Sequence, residues 1–234
     1  MNHSLRLTFV GLLSFFCLAM DDTGCASEDS ANVQQDRIHT SYWLLYDAQN
    51  DTTFARAQFR LGSGVGTTLV LSDGAQVAYG ARSMGFNELL DWHETTLAGF
   101  DDAQVFSYAD LDGSTFVNAF PAITPSELPT SFPATVARGT ALEVEWEGPP
   151  LADGELMAAV AAHDANRLDF VRWETRERGA TSIVLSADGW NRLPPGATVL
   201  TLRRWFEGTA EEASSVGGVI RTTYQSAEAI FVLE

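Results

Sequence analysis

The chain has 234 residues and a formal net charge of −17, and all 14 of its basic residues are arginine. An acidic surface of this kind repels phosphate backbones and anionic headgroups, which argues against a role in nucleic-acid binding. With 45% hydrophobic and 19% charged residues, the chain can bury a core, and its length suits one large domain or two small ones.

The first 25 residues have the order of an export signal. Arg6 supplies the positive end, residues 7–20 are apolar, and Asp21 and Asp22 follow directly. The apolar run is shorter than the roughly 20 residues that a membrane-spanning helix needs, so it predicts a cleaved signal peptide rather than a permanent span. We therefore expect an exported protein, located in the cell envelope (periplasm or outer membrane) or secreted.

Cys25 lies shortly after the apolar run. Cys17 would leave with the signal peptide, so Cys25 is the one cysteine retained, and no disulfide is expected within the mature chain. The segment TGCAS at residues 23–27 resembles the lipid-attachment site of bacterial lipoproteins. That resemblance implies acyl chains on Cys25 that hold the protein at a membrane surface. The alternative is plain secretion, with cleavage near Ala19 or Ala26.

Structure is expected to begin after a polar stretch. Residues 26–37 are acidic and lack an apolar period, which predicts a flexible tether. Residues 54–61 then alternate between apolar and polar side chains, with Arg56 on the polar face. A period of two is typical of a half-buried strand.

Residues 38–120 are predicted to form a first antiparallel β-sandwich domain, because many short strand patterns are separated by turn residues. A brief helical turn competes with strand at residues 86–92. The predicted strands are residues 41–47, 54–61, 67–71, 75–79, 93–97, 103–109 and 114–120.

A second β-sandwich domain is predicted over residues 134–234. Residues 121–133 contain a proline at every fourth position, which predicts an extended linker between the domains. Alanines make a helix conceivable at residues 157–163, but the flanking glycine and prolines favour a strand. The predicted strands are residues 142–146, 155–162, 170–175, 182–185, 198–205, 218–224 and 227–233.

Both halves contain a turn before an alternating strand and a glycine connection before a last apolar strand, at Gly113 and at Gly217. This layout resembles the tandem immunoglobulin-like domains of bacterial cell-envelope lipoproteins. The resemblance implies an all-β fold with two such sandwiches over residues 38–234. Trp43 and Trp146, near the starts of the two halves, are interpreted as core anchors.

Motifs for metal binding and catalysis are incomplete. The DLDG segment at residues 110–113 predicts a hairpin turn, with a weak calcium site as the alternative, because Ala122 stands where an EF-hand needs glutamate. His93 begins a zincin-like pattern, but Leu97 replaces the second histidine. Without a nucleophile motif either, we expect no metal, no cofactor, no catalytic residues and no enzyme.

Two surface features bear on binding. Four tryptophans, Trp92, Trp173, Trp190 and Trp205, could form a platform on which a sugar ring stacks, although the interpretation as core residues is favoured. The arginine-rich residues 167–178 also contain acidic side chains, which favours a cross-paired solvated strand over an anion site.

The expected function follows from export, architecture and the absence of a catalytic constellation. The sequence predicts a non-catalytic envelope or surface protein that acts in binding, adhesion or assembly, with an unidentified protein or glycan as its partner and membrane contact only through a lipid anchor. The alternative is a secreted carbohydrate-binding β-sandwich module that uses exposed tryptophans.

Overall fold

The computed structural model describes residues 27–72, 74–101, 105–163 and 166–234, and the side chains of residues 166 and 167 are not among what it describes. The predicted signal region and Cys25 lie outside the described residues. In the part of the chain that is described, no helix is long and apolar enough to cross a membrane.

The described residues are almost entirely β-structure, which confirms the predicted all-β fold class. In the first half the strands are β1 (Glu28–Asp29), β2 (Ile38–Asp47), β3 (Thr52–Leu61), β4 (Thr68–Val70), β5 (Gln76–Tyr79), β6 (Arg82–Ser83), β7 (Gly85–Asn87), β8 (Trp92–Ala98), β9 (Val105–Ala109) and β10 (Thr115–Ala119). In the second half they are β11 (Thr135–Val136), β12 (Leu142–Glu145), β13 (Glu155–His163), β14 (Asn166–Thr175), β15 (Ser182–Leu185), β16 (Gly196–Thr209), β17 (Gly218–Gln225) and β18 (Ala229–Leu233), with one short helix, α1 (Ala187–Trp190), after β15.

Alternation of side chains explains the long strands. In β3, Ala55, Ala57 and Phe59 are fully buried, while Arg56 on the opposite side is only partly covered. The same period places Tyr42 and Leu44 of β2 in the core. A strand that buries one row of side chains and leaves the other at the surface forms one wall of a two-layer packing.

The strands form one large sheet and two small ones. The path through the 12-stranded sheet is β1-β4-β3-β2-β17-β16-β13-β14, and β8 pairs with β3 while β18 pairs with β16. The central neighbours β2 and β17 are parallel, with Trp43 opposite Arg221. The smaller sheets are β10-β9-β5-β6 and β12-β15.

Two hydrophobic clusters lie against the large sheet. The first packs β2 and β3 against β5 and β9, with Tyr42 and Phe106 ring centroids 5.1 Å apart. The second packs β13 and β16 against β12, β15 and α1, and contains Met157 and Leu202. The first cluster also includes Ile220 from β17, so it draws on both halves of the chain.

The sheet does not end at the predicted domain boundary. Because β17 lies between β2 and β16, the large sheet continues from the first half of the chain into the second. The linker over residues 121–133 therefore divides the chain but not the sheet. The immunoglobulin-like character of the two halves remains a prediction.

The predicted flexible tether is folded from residue 28 onward. Strand β1 pairs with β4, and two 3₁₀ helices follow at Ser30–Asn32 and Gln35–Arg37. Ser30 is fully buried, and the Gln35 amide donates to its carbonyl oxygen over 2.8 Å. Polar side chains hydrogen-bond to the backbone of this stretch, so it is ordered without an apolar period in its sequence.

Candidate functional site

The structure separates the four tryptophans of the predicted platform. Trp190 has no exposed surface and Trp173 is 9% exposed, with their ring centroids 4.6 Å apart in the second cluster. Trp92 and Trp205 are half-buried on the large sheet. A platform of all four residues does not form, because α1 carries Trp190 into the core beneath β14.

The other two tryptophans also differ from each other. Trp146 is 5% exposed and belongs to the second cluster, as predicted for a core anchor. Trp43 is not a core anchor. It is half-buried on the opposite side of β2 from Tyr42 and Leu44, and its ring centroid lies 6.3 Å from that of Trp92.

The large sheet has one side that faces away from the two clusters, and we call this side of β14, β13, β16, β17, β2, β3 and β8 the outer face. It carries aromatic and arginine side chains in alternation with the buried rows. Its residues include Arg172 of β14, Arg203, Trp205 and Glu207 of β16, Arg221, Thr223 and Gln225 of β17, Trp43, Leu45 and Asp47 of β2, Phe54 and Arg56 of β3, and Trp92 and Glu94 of β8.

A depression of about 320 Å³ lies in the outer face, and we call it the arginine pocket. Three arginines and two tryptophans line it, together with one leucine and two polar residues, and no carboxylate is among the lining residues. They are Trp43, Leu45, Arg56, Trp92, Arg203, Arg221, Thr223 and Gln225. Such a lining is unexpected in a protein with a net charge of −17.

Strand register sets the spacing of the pocket walls. Arg221, Trp43 and Arg56 stand in one row across β17, β2 and β3. The two arginines are therefore two strand spacings apart, or about 10 Å between their backbones. Thr223 and Leu45 form the next row and lie on neighbouring strands. Guanidinium groups thus stand on either side of the pocket, and aromatic and polar side chains lie between them.

Aromatic rings and glutamates fix two of the guanidinium groups on this face. The Arg56 guanidinium carbon lies 4.5 Å from the Trp92 ring centroid, and Arg56 Nε is 3.4 Å from Glu94 Oε2. The Trp92 indole N–H donates to the same Glu94 oxygen over 3.1 Å. Arg172 of β14 lies 4.5 Å over the Trp205 ring. These indoles hold guanidinium planes by cation–π contact and have one face covered by them.

Arg203 is the exception among these arginines. Arg56 pairs with Glu94, Arg221 with Glu207 and Arg172 with Glu174. Arg203 makes no hydrogen bond and no ion pair with any described residue.

Desolvation by neighbouring protein atoms and the positive charge of Arg172 lower the pKa of Arg203, while Asp47 acts in the opposite direction. Its guanidinium still keeps its proton at physiological pH, since arginine titrates far above it. Arg203 is therefore a charged group that has the Asp47 carboxylate nearby but forms no ion pair or hydrogen bond with a described residue.

A second depression adjoins the first. It has a volume of about 350 Å³, and its lining residues are Val160, Ala162, Phe170, Val199, Thr201, Arg203, Gln225 and Glu228. Arg203 and Gln225 line both depressions. Phe170 is 56% exposed at the far side. The two depressions together extend the outer face from β8 to β14.

The remaining predicted sites take structural roles. The DLDG segment forms the hairpin between β9 and β10, where Asp110 Oδ1 accepts from the Ser114 amide over 2.7 Å. His93 is 5% exposed and packs on Phe59 and Phe86, and burial lowers its pKa. In the described ranges, no group of three or more His, Cys, Asp or Glu side chains is placed to hold a metal ion.

Two arginines of the arginine-rich residues 167–178 have acidic partners, Arg172 within β14 and Arg178 after the strand ends. Arg172 Nε lies 2.5 Å from Glu174 Oε1, and Arg178 is 3.8 Å from Asp153. Sequence reasoning missed Arg203 and Arg221. Both stand at exposed positions of apolar-alternating strands, and that signal is visible in the sequence. The pairing of β16 with β17 brings them to one face. Their meeting with Trp43 and Arg56 depends on the pairing of β17 with β2, which the sequence does not show.

No protein-family model matches the sequence, and neither does the sequence of any curated protein. Two solved structures are similar over 82% of this chain. One is from work on host cell surface retention of a 1.5-MDa bacterial ice-binding adhesin, with 10% identity and a TM-score of 0.22. The other is SGBP-B of the Bacteroides ovatus mixed-linkage glucan utilization locus with a mixed-linkage heptasaccharide, with 11% identity and a TM-score of 0.19.

This chain covers 64% of the first of these structures and 60% of the second, less than two thirds of each. At these TM-scores the likeness establishes neither the fold nor the activity of this chain.

Proposed function

We propose that this protein is an exported, non-catalytic surface protein of the bacterial cell envelope that binds a glycan in the arginine pocket. The observation that carries the proposal is the pocket itself: Arg56, Arg203 and Arg221 converge with Trp43 and Trp92 on one face of a strongly acidic protein. Polar groups that converge in a partly apolar concavity are the usual composition of a ligand site.

The composition of the pocket favours binding over chemistry. Its lining contains no His, Cys, Ser, Asp or Glu, so the one hydroxyl of the lining, on Thr223, has no histidine or carboxylate of the lining to act as its base. It offers guanidinium donors, the Gln225 amide, the Thr223 hydroxyl and aromatic surface. Hydroxyl-rich sugar rings present hydrogen-bonding edges and C–H faces, and these groups match both.

Export and anchoring are proposed from the sequence of the first 27 residues. An apolar run followed by Cys25 within TGCAS supports lipid attachment, and plain secretion is the alternative. Mass spectrometry of the mature N-terminus from a bacterial host tests this. We expect a diacylated or triacylated Cys25 as the first residue. An unmodified N-terminus at another position would refute the anchor while leaving the binding proposal intact.

The binding proposal is tested with the full mature chain and a panel of polysaccharides, namely dextran, dextran sulfate, polygalacturonate and its fully methyl-esterified form. We expect measurable affinity by calorimetry for at least one of them. Trp43→Ala should abolish that affinity because it removes the aromatic wall between Arg221 and Arg56. Arg176→Ala, at an exposed position outside the pocket, is the matched control and should bind as the unaltered protein does.

Retained folding of the Trp43→Ala variant is checked by its unfolding midpoint. Absence of binding to every polysaccharide would contradict the glycan proposal. Binding that survives Trp43→Ala would contradict the placement of the site.

A further inference from the structure

Arg203 lies at a position where no described residue forms an ion pair with it. It lies between the two depressions of the outer face and lines both. Each of the other arginines on this face, Arg56, Arg172 and Arg221, has a glutamate partner, and Arg203 has none among the described residues. Asp47 lies near enough to act on Arg203 but does not pair with it. A partly desolvated charge that lacks a hydrogen-bonded counter-ion gains when a ligand supplies one.

From this geometry we infer that the arginine pocket selects acidic polysaccharides and that Arg203 pairs with the carboxylate or sulfate groups of the bound chain. This inference rests on the proposed function and specifies its ligand class. A guanidinium presents its N–H groups in a planar fork that matches carboxylate and sulfate oxygens in a bidentate manner. Arg203 has all five donors uncommitted within the described structure.

Arg56 and Arg221 line the same pocket and are held in place before a ligand binds. Arg56 is held between the Trp92 ring, the Phe54 ring at 5.1 Å and Glu94, and its Nε lies 3.4 Å from Glu94 Oε2. Arg221 contacts Glu207 through Nε and Nη2. Each guanidinium keeps donors free after these contacts. Because stacking and pairing fix the side chains before a ligand arrives, less conformational entropy is lost on binding.

The residues around Arg203 indicate which class of anionic ligand the pocket would bind. The remainder of the molecule is strongly acidic, and Glu94, Glu207 and Asp47 offset part of the positive charge of the three pocket arginines. An anionic ligand is therefore repelled least at the pocket. The lining combines the Thr223 and Thr201 hydroxyls and the Gln225 amide with the charged groups. A polymer that carries hydroxyls as well as a regular anionic group satisfies both sets. Uronate and sulfated polysaccharides have this chemistry. Both depressions together provide an extended surface for a chain, with Glu228 as the carboxylate among their lining residues.

The test compares acidic polymers with neutral partners of the same backbone. Calorimetry on the full mature chain measures affinity for polygalacturonate against its methyl ester and for dextran sulfate against dextran. We expect at least about tenfold tighter binding of one acidic form than of its neutral partner, equivalent to about 1.4 kcal/mol. The affinity should fall with added salt. Which acidic form binds more tightly distinguishes a carboxylate from a sulfate ligand.

Substitutions at Arg203 identify the residue responsible. Arg203→Gln should remove the preference for the acidic form, and Arg203→Lys should restore part of it because lysine keeps the charge but lacks the fork. Arg176→Gln serves as the control for loss of one exposed positive charge and should keep the preference. The unfolding midpoints of the Arg203 variants are not expected to fall below that of the unaltered chain, since Arg203 makes no ion pair or hydrogen bond with a described residue that the substitutions would remove.

Equal binding of acidic and neutral forms, lost in Trp43→Ala but unchanged in Arg203→Gln, would overturn this inference and leave the proposed function standing. Polyglutamate binding that depends on Arg203, without binding of any polysaccharide, would overturn the glycan assignment in favour of an acidic protein partner. Absence of binding to every polymer would overturn both proposals.

Discussion

Arg204 has 3% of its side chain exposed, although it is the neighbour of the exposed Arg203. Its Nη1 donates to the Pro149 carbonyl over 2.7 Å and to Ser126 Oγ over 3.2 Å, and its Nη2 donates to the Pro150 carbonyl and pairs with Glu155. Adjacent residues of one strand point to opposite faces. Arg204 therefore binds Ser126 of the linker and the Pro149 and Pro150 carbonyls, while Arg203 is exposed to solvent.

The decrease of the unfolding free energy at acid pH should reveal the ion pair between Arg204 and Glu155. Burial raises the pKa of Glu155, but hydrogen bonds from Arg204 and the Ala152 amide outweigh it, and the pKa lies below its ordinary value of 4.5. A carboxyl with a depressed folded pKa contributes stability above its unfolded pKa, and that contribution disappears as pH falls through the folded value. We expect the unfolding free energies of wild type and Glu155→Gln to differ most near neutral pH and to converge below pH 4.5.

Urea unfolding at a series of pH values measures this convergence. The double variant Arg204→Met, Glu155→Gln should differ from Arg204→Met by an amount with much less pH dependence, because the main group that lowers the pKa of Glu155 is absent from both. Parallel stability curves for wild type and Glu155→Gln would contradict the assignment.

The tryptophans show which features of single residues the sequence does not predict. In β2, Tyr42 and Leu44 on one side and Trp43 and Leu45 on the other are all apolar, so period two does not say which row is buried. Trp190 is buried because Ser186 caps the short turn that carries it inward. The sequence correctly favoured core roles for Trp173 and Trp190, but the outer face could not be found without knowing strand neighbours.

At the scale of elements, period-two patterns and turn residues located the long strands well. The predicted strands at residues 155–162 and 182–185 correspond to β13 (Glu155–His163) and β15 (Ser182–Leu185). The short strands β1, β6 and β11 were missed, since two residues carry no measurable period. Each of them exists because a neighbouring strand supplies its hydrogen bonds, as β18 does for β11. Local sequence describes what a segment can form, and pairing decides whether it forms.

At the scale of the whole molecule, the pairing of β17 with β2 is the feature that the sequence does not predict. Strand β17 pairs in parallel with β2, although about 170 residues separate them along the chain, and its Ile220 and Tyr224 join the first cluster. Tyr224 also contacts Glu127 of the linker through its hydroxyl group. A contact between such distant segments leaves no periodic trace in either of them. The same pairing builds the arginine pocket, because Arg221 comes from β17 and Arg56 from β3.

This pairing predicts that the two halves do not fold independently. A fragment ending at residue 133 would leave the edge of β2 without a partner and remove Ala210, Ile220 and Tyr224 from its core. We expect this fragment to lack a cooperative urea transition or to aggregate, because an open apolar sheet edge associates with other chains. The full chain, cut at a protease site inserted after the exposed Ala122, is the matched comparison.

The cut chain retains every strand, so its two pieces should co-elute in gel filtration and unfold together, held by the ladder between β2 and β17. A cooperatively folded fragment ending at residue 133, or pieces that separate after cleavage, would show that each half has a self-sufficient core. In that case the arginine pocket would be a junction between two domains, and ligand binding would stabilise their association instead of meeting a preformed surface.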